Sequence, residues 1–360
     1  PTPANNNTTA RAIGPNYALG SVVDSMSTAK LNTLHLHLVD SQAFPLVLPS
    51  APRLATGAYS REERYTLADL AGLQRFAAAR GIRLVAEIDT PGHGAAWCTG
   101  MPEVCPSARC KQPLDVSSNA TFEAIEAVLR DLFTVLPDAF VHLGGDEVST
   151  DCWSSTARVA GWLDERGLTA DEAYGYFVSR TTAIAKALGK QAIVWDEVFN
   201  HFGMALDREQ VVVNTRFNAA QAPARPPCVK NATAHGYRVV RSQNKHWYLD
   251  QTLGKDWRAQ YEFELCAGLP DESCRFIIGG AASQWGETAD TSDLMQTIWP
   301  RAGAVGEKLW SPRSVNDTVA ALPRYVAFRC YLNRRGFVAA PALNGRARSA
   351  PPGPGSCYAQ

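Results

Sequence analysis

Short runs of β-branched and aromatic residues alternate along the chain with longer stretches whose apolar positions recur every three or four residues. The short runs are LNTLHLHLVD (31–40), IRLVAEID (82–89), AFVHLGGDE (139–147), QAIVWDEV (191–198), QVVVNTR (210–216), YRVVRSQ (237–243) and FIIGGAASQW (276–285). Strands separated by helical stretches of this kind form a parallel sheet joined by crossover helices. Two of the intervening helices have readable ends. Thr66 and Asp69 form a capping box, Leu67, Leu70, Leu73 and Phe76 repeat at helical spacing, and Gly81 closes the segment. A second helix follows Asn119 with Phe122, Ile125, Leu129 and Leu132 on one face. Seven runs are one short of a closed barrel. The eighth strand would have to precede residues 19–30, where ANNNTTAR (4–11) is polar and poor in strand formers. The expected fold is therefore α/β, a (β/α)8 TIM barrel with its first strand weak or incomplete. It spans 1–360 as a single domain, with an irregular N-terminal segment 1–12 and a Pro/Gly-rich C-terminal tail 340–360.

Composition removes several function classes. Lys plus Arg and Asp plus Glu both number 35, so no charge excess argues for nucleic acid or an anionic membrane surface. No apolar run reaches the roughly 20 residues of a membrane helix, and residues 1–11 lack the pattern of a signal peptide, so a soluble mature chain is expected. Nine cysteines and five Asn-x-Thr sequons, at Asn6, Asn7, Asn119, Asn231 and Asn316, point to an oxidising, glycosylating route and hence to a lysosomal or extracellular destination. The segment 217–236 reads as a loop after the sixth strand followed by a short helix.

Barrel chemistry collects at the C-terminal ends of the strands. Carboxylates gather there: Asp40, Glu87 with Asp89, Asp146 with Glu147, Asp196 with Glu197, and Glu287. Burying such groups is costly unless they are paired, so a ring of them suits a working site better than a scaffold. Gly144 and Gly145 let the third run break its pleat, so that Asp146 and Glu147 reach one pocket instead of opposite faces. One of the two is expected to carry the proton of a general acid while the other stays ionised, a division that suits glycoside hydrolysis. His93, in EIDTPGHG, is a candidate partner for a carboxylate or a sugar hydroxyl. Trp195, Trp247 with Tyr248, and Trp285 lie near strand ends, where rings stack on sugar faces or simply fill the core. His35 and His37 share one face of their strand and read as supporting groups. His35, His37, Asp40 and His93 are metal-ligand types, yet there is no HExxH, paired CxxC or short three-ligand cluster, so neither metal nor cofactor is expected.

The runs LNTLHLHLVDSQAFPL, GIRLVAEIDTPGHG, FVHLGGDEV, IVWDEVF, WYLDQT with KDW, GGAASQWGE and WPRAGAVGEKLW, in order from about residue 11, resemble the family 20 glycoside hydrolases, specifically the lysosomal-type β-N-acetylhexosaminidases. The resemblance implies a retaining exo-glycosidase acting on terminal N-acetyl-β-D-hexosamine by substrate-assisted catalysis. In that scheme the 2-acetamido oxygen attacks the anomeric carbon. It implies Glu147 as acid and then base, Asp146 holding the acetamido N–H, and Tyr248 donating to the acetamido oxygen. Arg11, Asp40, Asp250 and Glu287 would bind sugar hydroxyls, Trp195 and Trp285 would line the acetamido pocket, and Asp89 and His93 would support the acid. Asp250 followed by Gln251 rather than arginine resembles the subsite for neutral sugars. The implied partners are N-acetylhexosamine-terminated oligosaccharides or glycoconjugates, with no nucleic acid and no membrane insertion. A homodimer is admitted as the assembly.

The chain departs from the family pattern at three places. Arg11 has no apolar strand before it, Ser41 stands where an acidic residue is common, and Arg216 or a neighbour replaces a tryptophan after the sixth strand. The resemblance also implies pairing of Cys152 with Cys105 or Cys110, of Cys330 with Cys357 and of Cys266 with Cys274, leaving Cys98 or Cys228 unpaired. The rival readings are a non-catalytic carbohydrate-binding homologue, an endo-acting chitin-directed glycosidase and a metal-dependent hydrolase.

Overall fold

A computed structural model describes residues 17–216, 228–250, 257–342 and 357. Arg11, Gln251, the sequons at Asn6 and Asn7, the segment 1–12 and nearly all of the 340–360 tail therefore lie outside the described residues. Seven strands form one sheet: β1 (Thr33–Val39), β2 (Arg83–Ile88), β3 (Phe140–His142), β4 (Gln191–Trp195), β5 (Val211–Thr215), β6 (Arg238–Arg241) and β7 (Ile277–Gly280). They lie side by side in chain order and every pairing is parallel. The result is a barrel wall curled from seven strands with helices around it. Among the described residues β1 and β7 remain the two edges, as the weak first strand predicts.

The helices form where their sequence patterns place them. Thr66 caps Leu67–Ala78 in a reciprocal box with Asp69, and Leu70 and Leu73 are buried against the sheet. Gly81, at φ +71°, turns the chain into β2. Asn119–Phe133 buries Phe122, Ile125, Leu129 and Leu132 together. One main apolar cluster runs from Leu19 to Ala339. Its outer layer joins the two ends of the sheet: the Trp299 indole N–H donates to Ser25 Oγ at 2.9 Å, and the Trp310 N–H to the Lys30 carbonyl at 2.7 Å.

The strands are shorter than the runs that predict them, and the trimmed residues build the site. The third strand stops at His142, and Gly144 and Gly145 follow in the left-handed region at φ +69° and +89°. The fourth stops at Trp195, and Asp196 and Glu197 open the helix Asp196–Phe202 instead of extending the strand. Carboxylates suit a first helical turn because they face unsatisfied N–H groups. The sixth and seventh strands likewise end at Arg241 and Gly280, short of the predicted 243 and 285. Cys228–Ala234 is the short helix expected in the segment 217–236, after the run that forms β5, and residues 217–227 lie outside the described residues.

Four disulfides join Cys98 to Cys105, Cys110 to Cys152, Cys266 to Cys274 and Cys330 to Cys357. Of the two partners left open for Cys152, Cys110 is the one. Cys98 is paired, so the unpaired thiol is the buried Cys228.

Candidate active site

The turn after β3 is fixed from several sides. The Gly145 N–H donates to Asp89 Oδ1 at 2.9 Å, the Trp195 N–H to the Gly144 carbonyl at 3.0 Å, and the Tyr174 hydroxyl to the Gly145 carbonyl. A side chain at 144 would overlap Asp89, with an ideal Cβ only 1.7 Å from its Oδ1. The chain therefore passes tightly over Asp89 before presenting Asp146, which is buried, and Glu147, which takes a left-handed φ of +52° and leaves 59% of its side chain exposed. The broken pleat does what the two glycines suggest: both carboxylates meet the same neighbours.

Two cations flank the pair. Arg216, one residue past β5, places Nη1 3.0 Å from Asp146 Oδ2 and Nη2 3.2 Å from Glu147 Oε1, and pairs with Glu197 as well. On the other side, His93 Nε2 lies 3.9 Å from Asp146 Oδ2 and 3.7 Å from Glu147 Oε2, while its Nδ1 meets Asp40 Oδ1 at 3.1 Å. Burial works against a charged His93, but Asp89, the bond to Asp40 and Asp146 outweigh it and raise the imidazole to about 10. Burial, with Asp146 beside it, pushes Asp89 above the usual carboxylate range, against the opposing pull of His93.

Below these residues lies a polar floor inside the barrel. The buried Glu87 receives His35 Nε2 at 2.7 Å, His37 Nδ1 at 3.1 Å and His142 Nδ1 at 3.1 Å, and accepts the Trp195 indole N–H at 2.9 Å. Burial would raise Glu87, yet His142, His37 and His35 hold it well below the ordinary range. His35, Glu87 and His142, then His37, Glu87 and Asp89, and finally Asp89, His93 and Asp146 lie close enough to be metal-ligand sets. Glu87 is the shared member of two of these sets, with three imidazole nitrogens within 3.1 Å of its carboxylate. His35 and His37 thus support the site, as their shared face implies.

The rest of the rim is built from residues that follow β1, β6 and β7. His37 Nε2 lies 2.9 Å from Asp40 Oδ2 and together with His93 holds Asp40 far below the usual range against its burial. Asp250 Oδ1 accepts the Trp285 backbone N–H at 3.4 Å. Trp285 packs edge-on to His37 with ring centres 5.2 Å apart and lies 6.1 Å from Tyr248. Burial pushes the Tyr248 phenol up, against the opposing pull of Arg216 and with the push of Asp146, so it keeps its proton to donate. Glu287 is raised by partial burial and by Asp250 and Asp40, so these three carboxylates share one region. Asp40, Asp89, His93, Asp146, Glu147, Tyr248, Asp250, Trp285 and Glu287 thus come together from five loops. Trp195 is different: it is 2% exposed, its N–H is committed to Glu87, and Arg216 lies over its ring at 5.6 Å.

A family model described as glycosyl hydrolase family 20, catalytic domain, matches residues 8–313. The chain belongs to glycosyl hydrolase family 20. Among family relatives, Beta-hexosaminidase 1 of Arabidopsis thaliana is 46% identical over 98% of this chain and 64% of its own length. The human Beta-hexosaminidase subunit beta is 33% identical over 94% of this chain and 61% of its own length. The chain thus spans a little under two thirds of these relatives. In structure it is similar to a family 20 chitobiase of Flavobacterium johnsoniae, with a TM-score of 0.78 and 26% identity over 89% of this chain and 50% of that one. Within this family 20 site, sequence reasoning underweighted Glu87 as an anchor, Glu197, and Arg216 as anything but a substitution. The signal for Arg216 was its place directly after a strand end that also carries the buried Asn214.

Proposed function

We propose that this domain is a retaining exo-glycosidase that releases terminal, non-reducing N-acetylhexosamine from oligosaccharides or glycoconjugates with help from the substrate's own acetamido group. The observation that carries the reading is the convergence of Asp146, Glu147 and Tyr248 on the C-terminal rim of the barrel. The names of the relatives point the same way. Glu147, the exposed member of the pair, faces the entrance and protonates the leaving oxygen. Asp146, fixed between His93 and Arg216, holds the acetamido N–H and offsets the positive charge of the forming oxazolinium. Tyr248, still protonated, donates to the acetamido oxygen so that it lies on the anomeric carbon. Glu147 then takes a proton from the water that opens the intermediate. Asp40, Asp250 and Glu287 bind sugar hydroxyls, Trp285 covers a sugar face, and Asp89 and His93 hold the acid loop.

No helix among the described residues is long and apolar enough to cross a membrane. Four disulfides and the exposed sequon asparagines Asn119, Asn231 and Asn316 support passage through the secretory pathway to a lysosome or the exterior.

The test is release of a chromophore from an aryl N-acetyl-β-glucosaminide at mildly acidic pH. Glu147→Gln and Asp146→Asn should each lower kcat by about 10²- to 10⁴-fold. A folded wild type that binds the sugar without turnover would overturn the reading in favour of a carbohydrate-binding protein.

A further inference from the structure

We infer that Arg216 is a positioning residue that carries the negative charge appearing on Glu147 as the glycosidic bond breaks; the inference rests on the glycosidase reading above. Its guanidinium joins three carboxylates from two loops: Nη1 is 3.0 Å from Asp146 Oδ2, while Nη2 is 3.2 Å from Glu147 Oε1 and also meets Glu197. The side chain is only 9% exposed. Its backbone carbonyl is pinned by the Asn244 N–H at 3.0 Å and by Gln243 Nε2 at 3.3 Å, and the Trp195 ring lies beneath it. The cation is therefore in place before any substrate arrives. A preorganised charge contributes to rate because it needs no rearrangement when the reacting charge develops.

The charge accounting locates its effect. In the first step the bond from the anomeric carbon to the leaving oxygen breaks and its electron pair goes to that oxygen, which takes the proton of Glu147. The acetamido oxygen forms the new bond to the anomeric carbon. Glu147 ends the step as a carboxylate 3.2 Å from Arg216 Nη2, so the attraction grows along the reaction instead of being spent on binding. Asp146 and Glu197 hold the guanidinium in place beside Glu147, and neither gives up a proton in this step. Those three carboxylates outnumber the guanidinium that they share, so Arg216 is not a receptor for an anionic sugar substituent.

A charge held at the general acid matters in proportion to how much the leaving group needs a proton. The experiment compares kcat/KM for a 3,4-dinitrophenyl and a phenyl N-acetyl-β-glucosaminide in the wild type, Arg216→Gln, Arg216→Lys and Glu147→Gln. Arg216→Gln should lose about 10- to 100-fold more on the phenyl substrate than on the dinitrophenyl one, in the same direction as Glu147→Gln. Arg216→Lys, which keeps a charge, should recover part of that difference. The ratio is taken on a single preparation, so a partly unfolded variant lowers both substrates and leaves the ratio intact. Equal losses on both substrates would show a role in holding the fold only and would overturn the inference, as would no loss on either. A wild type inactive on both substrates would instead remove the glycosidase reading on which the inference stands.

Discussion

Replacing Gly144 with alanine puts the construction of the acid loop to a quantitative test. The added Cβ would sit 1.7 Å from Asp89 Oδ1 and 2.7 Å from Asp89 Cα, at a backbone φ of +69°. Holding an L side chain in this left-handed region costs roughly 1–2 kcal/mol, and forcing extra volume into a packed site roughly 1–3 kcal/mol more. The expected loss of stability is thus about 2–5 kcal/mol. Gly81→Ala is the matched control: its φ is +71°, yet nothing lies within 4 Å of its Cβ, so only the backbone cost of about 1–2 kcal/mol applies. Because Asp89 backbone cannot give way by rotation of a side chain, the Gly145 contact must open and the carboxylate pair must move. A displacement of about 1 Å at reacting groups costs on the order of 10²-fold in rate. Urea unfolding of both variants, with aryl-glycoside turnover on the same samples, reads both effects. A Gly144→Ala protein as stable as Gly81→Ala and as active as the wild type would refute the reasoning.

Three other outcomes follow from the site and its surroundings. His93 is raised to about 10 in the folded chain from about 6.5 unfolded, so its stabilising charge is fully present below pH 6.5 and is lost as pH rises toward 10; urea titrations across that window should show a decline that His93→Gln flattens. Removing the Cys110–Cys152 bridge, which spans 42 residues, by double serine substitution should cost about 4 kcal/mol, against about 2.5 kcal/mol for Cys98–Cys105, which spans 7, and equal costs in denaturant would contradict the loop-entropy account. Tyr248→Phe removes the phenol proposed to donate to the acetamido oxygen and should reduce kcat by about 10²-fold with little change in KM, so a rise in KM alone would place the phenol in binding rather than in the reaction.

Much of the site was readable because its local requirements are written in adjacent residues. The Gly144–Gly145 pair announced a broken pleat before Asp146 and Glu147, and the alternation of His35 and His37 announced a shared face. Thr66 with Asp69 announced a helix start, and each of these is realised in the structure. What escaped depends on contacts between residues far apart in the chain. Glu87 gathers histidines from β1 and β3, and nothing local to VAEID specifies that meeting. Trp195 sits at a strand end as its run implies, but the bond of its indole N–H to Glu87, a residue of β2, is written nowhere near it in the chain. Arg216 reads in sequence as the loss of an aromatic wall; only the approach of three separate carboxylates gives it a positive role. The strand ends were overextended for a related reason: residues such as Asp196 continue a strand-like run, while the helix that follows claims them.

The bonds from Trp299 to Ser25 and from Trp310 to Lys30 bridge 274 and 280 residues. A chain emerging from the ribosome makes the helix Tyr17–Thr28 hundreds of residues before these two partners exist. Contacts of such long sequence separation slow folding and leave apolar surface open in the interval. The Ser25 side of Tyr17–Thr28 therefore waits for its partner until nearly the whole barrel has been synthesised. Completion of this fold is consequently timed by the segment that carries Trp299 and Trp310, and nascent chains that end before Trp299 are the ones on which chaperones and proteases would act.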